Sequence, residues 1–274
     1  MCELLGVSSS GYYDWLNREP SEQKKKREFL TKEIKRVHKE SREIYGSPKI
    51  TKQLGNEGIE VSERTVQRIM QDEGISSKTA KKFKATTNSN HNQFIYPNIL
   101  NQNFTTVAPG KVWVADITYI WTREGFLYLA SIMDLYSRKI IGFHMGDRLK
   151  KELVGTALDR AIKHQPPLEG LIHHSDRGSQ YASKDYTNKL KENGIQISMS
   201  GKGNCYDNAC IESFHSVIKK ELIYQTTYLT RAQATKDIFE YITCFYNSKR
   251  IHSTNGYLPP LDFEKAYFLK KQSA

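Results

Sequence analysis

The order of strand and helix patterns between residues 111 and 221 constrains the fold of this chain most. Three segments rich in β-branched and aromatic residues come first and are separated by short turns, which predicts antiparallel pairing. Two further apolar segments follow, each preceded by a helical pattern, which predicts crossover connections. The chain is therefore predicted to form an α/β fold with a mixed five-stranded sheet flanked by helices. The predicted strands are residues 112–120, 126–134, 139–145, 171–175 and 195–199.

Two acidic residues lie at informative places in this pattern. Asp116 lies inside the first predicted strand, although Asp is depleted in strands and a buried carboxylate is costly unless it is paired or bound to metal. Asp176 follows directly after the fourth predicted strand, where a turn begins. In open α/β sheets, ligands bind at the carboxyl ends of the strands. We therefore expect both acids at one ligand-binding edge.

A third acid lies on a helix predicted at residues 207–222. Glu212, His215 and Lys219 share one face, because seven steps of about 100° make nearly two full turns. We interpret Asp116, Asp176 and Glu212 as one metal site. Lys219 and His215 are candidate contacts to a DNA substrate bound at the same site. Three ordinary surface or capping carboxylates are the alternative.

The N-terminal part of the chain is predicted to be helical throughout. Residues 2–18 suggest two short helices around a turn, and three longer helices follow within residues 28–75. In the last of these, residues 63–73, Arg64 and Arg68 are predicted to face outward. A short helix with this face suits contacts in the major groove of DNA, and a plain three-helix bundle is the alternative.

A loop with two glycines, residues 200–204, precedes the Glu212 helix. It lacks the residue spacing of a nucleotide-binding P-loop. We interpret it as a mobile loop over DNA in which Lys202 contacts the backbone, and a simple flexible turn is the alternative.

Composition narrows the function classes. The net charge of +11 and the pI of about 9.3 indicate an anionic partner such as DNA, although an ordinary basic protein has the same balance. The four cysteines show no paired short spacing, so neither a disulfide framework nor a zinc module is predicted. No apolar run approaches the ~20 residues that span a bilayer, and no signal peptide pattern is present. We therefore expect a cytoplasmic protein without membrane association.

Several motifs resemble those of OrfB-type transposases of bacterial insertion sequences, in the DDE transposase and retroviral integrase superfamily. Thirty-five residues separate Asp176 from Glu212, and Lys219 follows seven positions after Glu212. The other matching motifs are HHSDRGSQY at 173–181, GNCYDNA at 203–209, ESF at 212–214 and YNSKRIHS at 246–253. The resemblance covers nearly the whole chain. The His-His-Cys-Cys zinc module of retroviral integrases is not found in this sequence.

This resemblance implies a ribonuclease H-like integrase catalytic core. The core would comprise residues 111–225, after a helix-turn-helix DNA-binding region at 1–77 and a basic, polar linker at 78–110. A helical extension at 226–274 would complete the chain. Asp116, Asp176 and Glu212 would hold two Mg²⁺ ions, for which Mn²⁺ can substitute, and Lys219 would hold a phosphate.

The implied activity is cleavage at the ends of the element, followed by transfer of the freed 3′-hydroxyl into target DNA. The implied partners are the terminal repeats, the target DNA and further copies of the chain, at the bacterial nucleoid. The product of an upstream reading frame, fused or separate, is a further implied partner. Two other functions stay open: a ribonuclease H-like nuclease that only hydrolyses, and a catalytically inactive or incomplete DNA-binding protein.

Overall fold

The computed structural model describes residues 2, 4–6, 8–78, 93–201 and 204–272. The chain forms two compact units, residues 1–78 and 79–274. The first unit is helical. Its helices are α1 (Ser9–Asn17), α2 (Glu22–Glu40), α3 (Ser47–Asn56) and α4 (Glu63–Asp72).

The core of the first unit lies between α2, α3 and α4. Each helix contributes apolar residues at helical spacing, so one face of each is buried and the opposite face is polar. This arrangement confirms the predicted three-helix region. The buried apolar residues are Leu30, Ile34, Val37, Tyr45, Ile50, Leu54, Val66, Ile69 and Met70.

Three details of this unit differ from the sequence-based expectations. Among the described residues before position 18 there is one helix, α1, because Ser8 caps its start and Gly6 adopts a left-handed turn conformation. Helix α2 begins at Glu22 rather than at residue 28, since the Ser21 hydroxyl accepts a hydrogen bond from the Lys24 amide. The Ser47-Pro48 pair is the sequence signal of a serine cap followed by a helix, but Gly46 is the N-cap of α3 and Ser47 is its first residue.

The second unit contains a mixed five-stranded sheet, as predicted. The spatial order is β3-β2-β1-β4-β5. The pairs β1–β2 and β2–β3 are antiparallel, and β1–β4 and β4–β5 are parallel. The strands are β1 (Val112–Thr122), β2 (Gly125–Asp134), β3 (Ile140–Gly146), β4 (Ile172–Ser175) and β5 (Gln196–Met199).

Helices cover both faces of this sheet. The helices are α5 (Lys151–His164), α6 (Ser179–Ala182), α7 (Lys184–Glu192), α8 (Ala209–Glu221), α9 (Arg231–Glu240) and α10 (Pro260–Gln272). Helix α5 packs on the face that carries Trp113 and Ala115, and α8 packs on the opposite face at Ser131. Glycine at 142 permits the close approach of α5, since a Cβ there would lie 2.7 Å from Ala161 Cβ. This is the predicted α/β architecture.

Two predicted helices change type along their length. The helix expected at 207–222 begins with a 3-10 turn, Cys205–Asn208, before α8. In the predicted C-terminal helical extension, α9 continues directly as a π-helical turn, Tyr241–Tyr246, whose aromatic side chains are buried. Further 3-10 turns are Ile223–Gln225 and Ser253–Asn255.

Residues 93–110 depart from the linker predicted at 78–110, because they pack against the sheet. The Ser198 hydroxyl accepts hydrogen bonds from the amides of Ile99 (2.9 Å) and Leu100 (3.2 Å). Leu100 is buried. Residues 79–92 of the predicted linker lie outside the described residues.

The C-terminal extension packs on the core and holds the end of α8. Arg250 makes a two-pronged ion pair with Glu221, at 2.7 Å for Nη2 to Oε1 and 2.9 Å for Nε to Oε2. The Tyr241 hydroxyl donates to the same carboxylate at 2.6 Å. Arg250 is therefore buried in this ion pair, although it lies in a basic motif. No described helix combines the length and apolar character needed to cross a membrane.

Candidate active site

The first two candidate acids lie side by side at the carboxyl ends of neighbouring strands. In the parallel pairing of β1 with β4, Ala115 lies opposite Ser175. Asp116 follows Ala115 in β1, and Asp176 follows Ser175 at the end of β4. Neighbouring strands are about 4.8 Å apart, so the two backbones hold these carboxylates close together. The sheet register thus brings together residues that are sixty positions apart in sequence.

Local hydrogen bonds orient both carboxylates. Asp116 Oδ1 accepts from the Ile117 amide at 2.8 Å, and Asp176 Oδ1 accepts from the Gly178 amide at 2.9 Å. A Cβ at position 178 would lie 2.9 Å from Asp176 Oδ1, closer than real Cβ atoms come. Glycine at 178 therefore allows the backbone to fold around the Asp176 side chain.

Helix α8 brings the third acid to this edge. The His215 ring of α8 lies between Asp116 and Ser131. Its Nδ1 is 3.2 Å from Asp116 Oδ2, and its Nε2 is 2.7 Å from Ser131 Oγ. Glu212 lies one turn earlier on the same helix face. Since Asp116 accepts at Oδ2, the Nδ1 atom carries the proton, and the Ser131 hydroxyl donates to Nε2.

His215 is 5% exposed and both of its ring nitrogens face protein atoms. A direct contact with DNA, as predicted from its helix face, requires an accessible ring. The structure instead places His215 behind Asp116, where it positions that carboxylate. Helical spacing identified the correct face but not the depth of the side chain.

The electrostatics link the three acids and Lys219. Partial burial, together with the negative charges of Asp116 and Asp176, raises the pKa of Glu212. Burial lowers the pKa of Lys219, and the negative charge of Asp116 opposes this shift. Lys219 Nζ also lies 4.9 Å from the centroid of the Tyr119 ring. Four of the predicted site residues therefore share one electrostatic environment.

A divalent cation fits the chemistry of these donors. Carboxylate oxygens are the preferred protein ligands of Mg²⁺ and Mn²⁺. Carboxylates at one edge of a sheet repel each other, and a bound cation offsets this repulsion. In the described part of the chain, no three His, Cys, Asp or Glu side chains are grouped closely enough to hold a metal ion. Burial is the main cause of the raised pKa of Glu212, and repulsion by Asp116 and Asp176 adds to it.

His173 and His174, the adjacent histidines of β4, are buried and pack within the core. Burial lowers the pKa of His173 to about 3 and that of His174 to about 4, so both rings are neutral at pH 7. His174 Nδ1 lies 2.8 Å from Ser198 Oγ and Nε2 lies 3.2 Å from Ser200 Oγ. These contacts give the pair a packing and hydrogen-bonding role.

The loop before α8 is held by residues whose roles the sequence did not reveal. Asp207 accepts hydrogen bonds from the Gly201 amide, the Gln102 side chain and the Asn204 side chain, at 2.7 to 2.8 Å. Asn208 Nδ2 donates to the Ala115 carbonyl oxygen at 3.0 Å, directly before Asp116. Both residues lie within a motif quoted above, but only the fold shows their partners. Lys202, predicted to contact DNA, lies outside the described residues.

The predicted DNA-reading residues lie in the other unit of the chain. Arg64 and Arg68 are exposed on α4, while Val66, Ile69 and Met70 of the same helix are buried. The predicted orientation of this helix is therefore confirmed. The DNA contact itself stays a prediction.

Comparisons with known proteins agree with this architecture. A family model described as an HTH-like domain matches residues 24–83, and two models described as an integrase core domain match residues 106–205 and 212–268. The insertion element IS600 31 kDa protein of Shigella sonnei is 47% identical, over 97% of this chain and 98% of its own length. The transposase for insertion sequence IS904 of Lactococcus lactis is 44% identical, over 91% and 99%. The chain belongs to the insertion-sequence transposase family.

A solved structure supports the fold of this transposase-family chain. A chain of the simian T-cell lymphotropic virus intasome superposes with a TM-score of 0.50 at 14% identity, covering 84% of this chain and 74% of that one. The second unit is thus an integrase-type, ribonuclease H-like core. The recognition drawn from the sequence motifs is confirmed.

Proposed function

We propose that this chain is a DDE-type polynucleotidyl transferase that cleaves the ends of an insertion sequence and joins their 3′-hydroxyls to target DNA. The observation that carries the proposal is the strand register that sets Asp116 beside Asp176, with His215 of α8 in contact with Asp116 and Glu212 one turn earlier on that helix. The names of the relatives support the same class of reaction.

Each residue has a defined task in this proposal. Asp116, Asp176 and Glu212 would supply oxygen ligands for two Mg²⁺ or Mn²⁺ ions. When bound, such ions would supply Lewis-acid stabilisation of the charge that develops in an in-line displacement at phosphorus. His215 keeps Asp116 in its orientation from behind. Lys219 would bind a DNA phosphate beside the acids, because its ammonium lies within the electrostatic influence of Asp116.

The DNA partner would be held by both units. Arg64 and Arg68 on α4 would contact the terminal repeats, and Lys202 would contact the DNA backbone. Paired ends require at least two copies of the chain, so we infer assembly on DNA. The product of an upstream reading frame, fused or separate, is a further inferred partner.

The test uses purified protein, DNA that carries the terminal repeats flanking this gene, and Mg²⁺ or Mn²⁺. Wild type is compared with Glu212→Gln, which keeps the size of the side chain but removes its charge. We expect cleaved and joined products from wild type, none from the variant, and the same DNA affinity for both.

Other outcomes separate the remaining functions. Cleaved products without joined ones identify a nuclease that only hydrolyses. DNA binding without any metal-dependent product, also after fusion to the upstream product, identifies an inactive DNA-binding protein. An equal loss of DNA binding in Glu212→Gln contradicts the assignment of this residue as a metal ligand.

A further inference from the structure

The hairpin formed by β1 and β2 carries an exposed cluster of aromatic rings. Trp121 is 64% exposed, Phe126 41% and Tyr119 39%, and Tyr128 is half-buried. We call these four residues the aromatic face. The ring centroids of Trp121 and Phe126 are 4.9 Å apart, and those of Tyr119 and Phe126 are 5.5 Å apart. The rings therefore form one continuous apolar surface.

The aromatic face is exposed because the hairpin extends past its neighbours. β1 pairs with β4 only as far as Ala115, and the pairing of β2 with β3 begins at Tyr128. Nearer the centre of the sheet, the same side of these strands is covered by α5. A folded protein exposes large adjoining apolar side chains mainly where they bind something.

Cations border the aromatic face. Lys219 Nζ lies 4.9 Å from the centroid of the Tyr119 ring. The Arg231 Nε donates to the Phe126 carbonyl oxygen at 3.0 Å, and Arg123 is exposed at the hairpin tip. Aromatic rings alternating with basic side chains suit a single nucleic-acid strand, in which bases stack and phosphates meet cations. The centre of a protein-protein interface is instead depleted in charge.

Lys219 links the aromatic face to the candidate active site. Lys219 contacts Tyr119 and shares the electrostatic environment of Asp116. Side chains alternate along β1, so Tyr119 and Trp121, three and five residues beyond Asp116, lie on the side of the sheet that faces α5, whereas Asp116 lies on the side of α8. Lys219 therefore connects the two surfaces.

We propose that the aromatic face binds unpaired DNA bases next to the phosphate held by Lys219, by stacking them on Trp121, Phe126 and Tyr119. This inference rests on the proposed function. It adds a preference for an opened duplex end over a fully paired one.

The experiment measures binding without chemistry. Full-length protein in EDTA is titrated with two terminal-repeat duplexes, one fully paired and one whose last four base pairs are mismatched. A 2-aminopurine in the mismatched segment, on each strand in turn, reports stacking by loss of its fluorescence. Trp121→Leu keeps apolar volume without an aromatic ring, Trp121→Phe keeps a ring, and Phe268→Ala removes an exposed ring on α10 as a matched control.

Wild type is expected to bind the open end at least about fivefold more tightly than the paired end, as stacking of one base on an aromatic residue allows. Trp121→Leu should lose this preference and the fluorescence change, while Trp121→Phe and Phe268→Ala keep both. Equal affinity of wild type for the two duplexes overturns the inference and leaves the proposed function intact. A wild type that binds neither duplex overturns both.

Two further results contradict the inference. If Trp121→Leu lowers the affinity for both duplexes equally, Trp121 contributes to DNA binding in general and not to base stacking. If Trp121→Leu leaves both affinities unchanged but alters the oligomeric state in sedimentation, the aromatic face binds protein. Thermal melts of every variant confirm that the hairpin substitution leaves the fold intact.

Discussion

Replacing His215 by its two amide analogues separates the two contacts of its ring. The side-chain nitrogen of Asn occupies the place of Nδ1, which lies 3.2 Å from Asp116, and that of Gln occupies the place of Nε2, which lies 2.7 Å from Ser131. His215→Asn therefore keeps the donor to Asp116, and His215→Gln keeps only the contact with Ser131. If His215 positions Asp116, the two variants must differ in activity.

The size of the difference follows from the charge of the carboxylate. A hydrogen bond to a charged group contributes about 1.5 to 3 kcal/mol. At 1.36 kcal/mol per tenfold change in rate, its loss from the catalytic arrangement slows cleavage about 10- to 100-fold. We expect His215→Gln to lose this much and His215→Asn to stay within about threefold of wild type. Ser131→Ala, which removes the distal contact alone, should resemble His215→Asn.

Two assays check the prediction. Single-turnover cleavage of a terminal-repeat duplex gives the rate, and Mn²⁺ binding followed by electron paramagnetic resonance gives the metal affinity without catalysis. His215→Gln should bind Mn²⁺ more weakly than His215→Asn. The reasoning is refuted if His215→Gln cleaves and binds metal like wild type. It is also refuted if both variants lose activity in proportion to a common fall in melting temperature.

Two further predictions concern stability. Arg250→Met should destabilise the second unit by about 3 to 5 kcal/mol, because it leaves the Glu221 carboxylate buried without its cation, and adding Glu221→Leu should recover at least half of this loss in urea unfolding. Burial lowers the pKa of His173 to about 3 in the folded state, against about 6.5 in the unfolded chain, so only the unfolded chain takes up a proton as the pH falls below 6.5. The free energy of unfolding should therefore fall by about 2 kcal/mol from pH 7 to pH 5 through this residue, as measured by the fluorescence of the buried Trp113. A His173→Asn variant that keeps the full pH dependence would contradict this prediction.

The sequence by itself determined the elements of the core and the candidate acids. Strand and helix periodicity predicted all five strands and the face of α8 that carries Glu212, because side-chain burial follows the backbone period of each element. The order of elements and the matching motifs then indicated the ribonuclease H-like fold. Arg64 and Arg68 on α4 were likewise placed outward by helical spacing alone.

Only the tertiary structure decided which of these residues touch. His215 lies on the predicted face, yet its burial between Asp116 and Ser131 depends on how α8 packs on the sheet. Arg250 lies in a basic motif, but its partner Glu221 is twenty-nine positions away in sequence. Periodicity describes one element at a time, whereas depth and partners arise from packing between elements. The adjacency of Asp116 and Asp176 depends in the same way on the register of two strands, which neither strand specifies alone.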